Sequence, residues 1–164
     1  MSRLDSFIRR LEAQRACLDL AANLVAAMSG PVLELGLGNG RTYDHLRALF
    51  PGREIFAFDR ALAAHPDCVP NADRLFLGDM RDTLRRLALP APAVLVHADI
   101  GGGGEAASRA MAQELVALVA RHLAPGGVVV ADQPMAEQGW TAQSPPGGVA
   151  VGRYFVYRAG VPRA

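Results

Sequence analysis

Val32-Leu33-Glu34-Leu35-Gly36-Leu37-Gly38-Asn39-Gly40-Arg41-Thr42 passes from an apolar run with one acid, through three alternate glycines, to a polar pair. Four residues of this kind suit a buried strand, and the polar pair suits the first turn of a helix. Glycine tolerates positive φ and lets a ligand approach the backbone, so the glycines between them mark a loop shaped around something.

Reading outward, helical and extended patterns alternate. Residues 2–28 are apolar at 4, 7, 8, 11, 18, 21, 22, 25 and 28, helical spacing with one polar interruption at Gln14 and Arg15 that divides the run. Ser2 and Asp5 form a capping-box pair, and Ser29-Gly30-Pro31 is the expected stop. This segment can cover a sheet, close over a ligand or pair with a second subunit. Residues 42–50 continue as the helix that the glycine loop opens. Strands are expected over 54–58, 74–77, 93–98 and 128–131, with helices over 80–87 and 105–123. The near-continuous apolar strands require a sheet covered on both faces, hence a doubly wound, mostly parallel α/β fold. Residues 133–148 are rich in Gly, Pro and Gln and read as loop. The aromatic, β-branched stretch 149–158 reads as one strand or part of a terminal hairpin.

Bulk composition sets limits. A chain of 164 residues, 51% apolar and 20% charged, suits one domain: a helical segment over 1–29 and an α/β core over 30–164. The net charge is +1, and all 17 basic residues are Arg, scattered apart from the pairs at 9–10 and 85–86, so a nucleic-acid surface is not expected. No apolar run approaches the ~20 residues of a membrane span. Cys17 and Cys68 have no metal or redox spacing, and a reduced, cytoplasmic setting is the natural reading.

Acids recur at the ends of the expected strands: Glu34, Asp59, Asp79, Asp99 and Asp132. Open α/β sheets bind ligands at that edge, and carboxylates there favour a ligand rich in hydroxyls and amines. Asp59 lies 19 residues beyond Gly40, where nucleotide folds place an acid on ribose hydroxyls. The dinucleotide pattern Gly-x-Gly-x-x-Gly, counted from Gly36, would need glycine at the position of Arg41. A phosphate loop would need Gly-Lys-Ser or Gly-Lys-Thr, and the chain has no Lys.

The spacing Glu-x-Gly-x-Gly-x-Gly over 34–40 resembles motif I of class I, Rossmann-like methyltransferases that use S-adenosylmethionine. Asp59, Gly78-Asp79-Met80, Asp99 and Leu123-Ala124-Pro125-Gly126-Gly127 follow in that family's order. The stretch 33–46 and the short chain also look like a small bacterial methyltransferase family. The resemblance implies a seven-stranded-type sheet, shortened between the fifth and last strands because 133–148 cannot hold the usual helix plus strand. It implies S-adenosylmethionine as cofactor and a small-molecule methyl acceptor; from the charge and hydropathy above, neither nucleic acid nor membrane is expected as partner. The amphipathic N-terminal segment favours a homodimer. By the same resemblance Gly36, Leu37, Gly38 and Gly40 bring backbone to the methionine part, with Arg41 and Thr42 at its carboxylate and Glu34 holding the loop or meeting the amino group. Asp59, with Arg60 beside it, takes the ribose. Gly78, Asp79 and Met80 take the adenine, and Asp99 and Ile100 line the floor near the methyl group.

Asp99 is the catalytic candidate; His97, inside an apolar strand, reads as a buried structural histidine. Asp99 with Asp132-Gln133 also resembles the ligand set of cation-dependent catechol-type O-methyltransferases, but Gln replaces Asn and no metal is assigned. Tyr43, His45, Trp140 and Tyr154 are pocket candidates whose plainer reading is ordinary packing. Two other functions stay open: a cofactor-binding or regulatory module without turnover, and, less favoured, a nicotinamide-dependent oxidoreductase.

Overall fold

The computed structural model describes residues 2–161. Helix α1 (Arg3–Leu24) starts with the expected capping box, in which the Ser2 hydroxyl accepts from Asp5 N–H and the Asp5 carboxylate accepts from Ser2 N–H. It is one helix, not two, and ends at Leu24, ahead of the Ser29-Gly30-Pro31 stop. Gln14 does not break it because its amide is buried among polar partners rather than competing for the helix backbone.

Strand β1 (Val32–Leu35), helix α2 (Arg41–Leu49), β2 (Ile55–Asp59), β3 (Leu75–Leu77), α3 (Met80–Arg86), β4 (Ala93–Ala98), α4 (Glu105–His122) and β5 (Leu123–Ala131) follow the expected alternation. Asp79 caps α3 by accepting from Arg81 N–H. β5 starts five residues earlier than the apolar pattern suggests, because Leu123 already pairs with Ala93; the register then shifts before Leu95 meets Val128. β6 (Trp140–Ala142) lies inside the stretch read as loop, and β7 (Phe155–Ala159) pairs antiparallel with it. A three-residue edge strand, two of whose residues are exposed, carries too little apolar alternation to be read beforehand.

All seven strands form one sheet in the order β3-β2-β1-β4-β5-β7-β6. β1 to β5 are parallel and β7 runs antiparallel to β5. α1 and α2 cover one face through Cys17, Leu18, Ala21 and Leu46; α3 and α4 cover the other through Leu84, Leu115 and Val119. The chain order reverses between β1 and β4, so the loops leaving these strands diverge and open a crevice at the carboxyl edge. Backbone bonds carry the ladder past the strand ends: Gly36 N–H to Phe58, Gly78 N–H to Asp59, Asp99 N–H to Leu35 and Asp132 N–H to Ala98. The acid-bearing loops are thereby tied together along one edge. Between β5 and β6 there is no helix, as the short connection implied. Among the described residues no helix is long and apolar enough to cross a membrane, and Cys17 and Cys68 are both free.

Candidate active site

The crevice is a cavity of about 630 Å3 at the switch point, within the roughly 300–1,000 Å3 usual for small-molecule sites. Its wall brings together Gly36, Leu37, Gly38, Arg41, Thr42, Asp59, Arg60, Gly78, Asp79, Met80, Asp99 and Ile100 from four separate stretches of chain. Of the residues assigned to the cofactor from sequence, Glu34 and Gly40 lie off that wall. Sequence reasoning did not single out Phe7, Arg10, Leu11 and Gln14, which roof the cavity from one face of α1, nor Met111 on α4. The spacing 7, 10, 11 and 14 is one helical stripe, and the polar interruption at Gln14 was its outward sign.

The three loop glycines do different work. A Cβ on Gly36 (φ +95°) would stand 2.1 Å from the Asp99 carbonyl oxygen, and one on Gly40 (φ +86°) 2.4 Å from the Cys68 side chain. These two are shaped by the protein's own chain. Gly38 (φ +52°) has nothing within 4 Å and faces the cavity, so it is the position at which a ligand can reach backbone. Asp59 steadies this loop: one oxygen accepts from Gly38 N–H at 2.7 Å and the other from Arg60 N–H at 2.6 Å. A carboxylate has about four lone-pair sites, so both oxygens keep capacity for hydroxyl donors.

Asp79 stands at the far end of the cavity, bound by both Arg81 Nε and Nη2; Arg81 also reaches Glu114 at 2.6 Å. Bonding from the Arg81 side chain, then from its backbone N–H, holds the Asp79 carboxyl well below the usual carboxylate range. At the near end Asp99 accepts from Arg10 at 2.5 Å and from the Gln14 amide at 3.0 Å, so α1 is pinned directly to the carboxyl end of β4.

Beneath the site runs a buried polar chain. Glu34 and His97 are cross-strand partners in the β1–β4 ladder, which brings Glu34 Oε2 to His97 Nδ1 at 2.6 Å. Both side chains are fully buried. The other Glu34 oxygen accepts from the Thr42 hydroxyl, securing the first turn of α2. His97 Nε2 lies 3.3 Å from the Gln14 amide and 3.4 Å from Tyr154 Oη; Gln14 also donates to Tyr154 Oη at 2.7 Å. Burial opposes charge on His97, but Glu34, with Asp99 and Asp132 behind it, outweighs burial, and the pKa rises above the ordinary histidine value. His97 is fully buried, as its place in an apolar strand led one to expect, and Tyr154 is buried with its hydroxyl among these polar groups.

Asp132 accepts from Ile100 N–H at 3.2 Å and Gly101 N–H at 3.0 Å. Burial and then the neighbouring Asp99 push its pKa up. Asp132 is held on loop amides and Asp99 on Arg10 and Gln14, so both carboxylates already have partners within the chain. Among the described residues no group of three or more His, Cys, Asp or Glu side chains could hold a metal ion. Tyr43, His45 and Trp140 lie off the cavity, His45 being bonded to Asp19 at 3.0 Å.

A family model described as S-adenosyl-L-methionine methyltransferase matches residues 1–159. Among solved structures, an S-adenosyl-L-methionine methyl transferase from Silicibacter pomeroyi DSS-3 is 48% identical, with 98% of this chain and 99% of that chain covered and a TM-score of 0.89. The O-methyltransferase TomG from Streptomyces achromogenes, involved in tomaymycin synthesis and solved with its methyl donor, is 18% identical over 99% of this chain and 82% of that one, TM-score 0.59. CalS10 from Micromonospora echinaspora, an amino pentose methyltransferase, is 23% identical over 87% and 63%, TM-score 0.53. These last two share the fold. No curated protein matches the chain.

Proposed function

The chain belongs to the S-adenosyl-L-methionine methyltransferase family, and from that premise we propose that it methylates a small-molecule acceptor at the near end of the cavity. The observation that carries this reading is the line of Asp79, Asp59, Gly38 and Asp99 along one wall, roofed by α1. A roofed crevice suits a small acceptor better than a polymer, and the arginines are scattered along the sequence apart from two pairs.

The residues fit S-adenosylmethionine group by group. Gly78, Asp79 and Met80 would hold the adenine and Asp59 with Arg60 the ribose. The open backbone at Gly38, with Gly36, Leu37, Gly40, Arg41 and Thr42 around it, would hold the methionine end. Ile100 and Asp99 would border the methyl group. Glu34 acts from below, by fixing Thr42. When bound, S-adenosylmethionine supplies an electrophilic methyl: an acceptor lone pair bonds to that carbon while the carbon–sulfur pair departs with sulfur. The chain's contribution is alignment and exclusion of water, which can supply up to roughly 7–11 kcal/mol. α1 presents the apolar side chains of Phe7 and Leu11 to the cavity. Asp99 faces the acceptor with Oδ1 on Arg10 and Oδ2 on Gln14. It orients the acceptor, and it can accept the released proton once one of those partners yields.

Calorimetry with S-adenosylmethionine, S-adenosylhomocysteine and NAD tests this reading. The first two are expected to bind and NAD not. Asp59→Ala is expected to weaken S-adenosylhomocysteine about 10–100-fold, the loss of charge-assisted bonds worth roughly 1.5–3 kcal/mol. Unchanged affinity in Asp59→Ala would remove the ribose assignment.

A further inference from the structure

A second cavity, of about 390 Å3, lies beside the first on the same carboxyl edge. Its wall includes Arg10, Glu105, Arg109, Asp132, Arg153 and Phe155. Arg10 is the one side chain that lines both cavities. The second cavity therefore opens directly behind the Arg10–Asp99 pair, beyond the ends of β5 and β7.

The charges on its wall are unevenly matched. Arg10 is paired with Asp99, on the first cavity. Arg109 meets Glu105 at 3.1 Å in an exposed pair one helical turn apart, an arrangement that water screens to little energy. Asp132 turns both oxygens to the Ile100 and Gly101 amides. Arg153 is different. Among the described residues it makes no ion pair; its Nη2 donates to the Ser6 carbonyl at 2.7 Å and the Ser6 hydroxyl at 3.2 Å. Those bonds anchor the side chain across α1 and leave its positive charge uncompensated. A planar guanidinium held in place is the group best suited to a carboxylate or phosphate, which it can grip through two parallel bonds. The half-buried Phe155 offers an apolar face in the same cavity.

We propose that this second cavity receives the methyl acceptor, and that the acceptor carries an oxyanion, a carboxylate or a phosphate, gripped by Arg153 with Arg109 beside it. The inference rests on the methyl-transfer reading of the first cavity. It places the acceptor's anionic end at Arg153 and its nucleophilic end at the Arg10–Asp99 boundary.

The test is calorimetry on the full chain saturated with S-adenosylhomocysteine, titrated with benzoate, phenyl phosphate, benzylamine and benzyl alcohol. At least one anionic probe is expected to bind ten times or more tighter than the amine and the alcohol. The tighter of benzoate and phenyl phosphate tells carboxylate from phosphate. Arg153→Gln is expected to weaken that probe about tenfold or more, with S-adenosylhomocysteine affinity held within about twofold. Arg153→Lys, which keeps the charge but not the fork, is expected to lose less, and serves if the Gln variant does not fold. Tighter binding of benzylamine, no binding of either anion, or anion binding indifferent to both Arg153 variants overturns the inference. Failure of S-adenosylhomocysteine to bind the unaltered chain would instead overturn the methyl-transfer reading.

Discussion

Gly36→Ala is expected to cost about 2–5 kcal/mol of stability, the sum of left-handed backbone strain of roughly 1–2 and overpacking of roughly 1–3. For a chain of this size each kcal/mol moves Tm by about 2–4 °C, so the fall is roughly 4–20 °C. The added methyl would stand 2.1 Å from the Asp99 carbonyl oxygen. Neither side can step aside, because Gly36 N–H is bonded to Phe58 O and Asp99 N–H to Leu35 O, each at 2.9 Å. Gly38→Ala is the contrast. Its φ of +52° is one that alanine adopts at a cost of about 1 kcal/mol, and nothing lies within 4 Å. Its Tm is expected to fall by a few degrees only, while S-adenosylhomocysteine affinity falls about tenfold or more as the methyl occupies the open backbone position. Scanning calorimetry and titration calorimetry on the two variants check this. Equal losses of Tm, or unaltered affinity in Gly38→Ala, would show that the loop glycines share one role.

That contrast marks how far the chain could be read unaided. The alternation of apolar strands and amphipathic helices specifies the parallel sheet, because a strand buried on both faces leaves no other pattern. The acids at 59, 79 and 99, each at the end of an expected strand, mark the edge at which the structure gathers all three around one cavity. The role of each glycine was hidden. Which neighbour a Cβ would strike depends on Asp99 and Cys68, brought close only by the fold. The roof was hidden for a similar reason. Arg10 and Gln14 look like solvated helix residues until α1 is laid across the switch point, where Gln14 becomes 97% buried (3% exposed) and bonded to Asp99 and Tyr154. β6 escaped because its pairing with β7 is long-range and its three residues lack a pattern of their own.

Glu34→Gln is expected to produce the other large effect, one whose size depends on pH. Removing one member of a buried ion pair costs about 3–5 kcal/mol, and here the abandoned partner is His97, with no exposed surface. In the unaltered chain the folded-state pKa of His97 is raised above 6.5. The folded state then holds that proton more tightly than the unfolded state does. The stabilisation is fully present below about pH 6.5 and is lost as pH rises through the folded-state value. In Glu34→Gln the Glu34 charge is gone, burial is the largest single influence remaining, and the pKa falls from its raised value. The variant's His97 thereby loses stabilisation on the acid side, where the unaltered chain has it in full. Tm measured between pH 5.5 and 8.5 should show the deficit of the variant greatest at acid pH and narrowing as pH rises. The other three histidines are common to both proteins and cancel in the difference. Parallel curves would mean that His97 is neutral in the folded chain throughout. The consequence reaches the active site through hydrogen bonds. A charged His97 has Nε2–H to give, and Tyr154 Oη at 3.4 Å is its acceptor; a neutral ring protonated on Nδ1 can instead accept from the Gln14 amide at 3.3 Å. The same amide holds Asp99, so the buried Glu34–His97 pair sets how firmly α1 is fastened over the cavity.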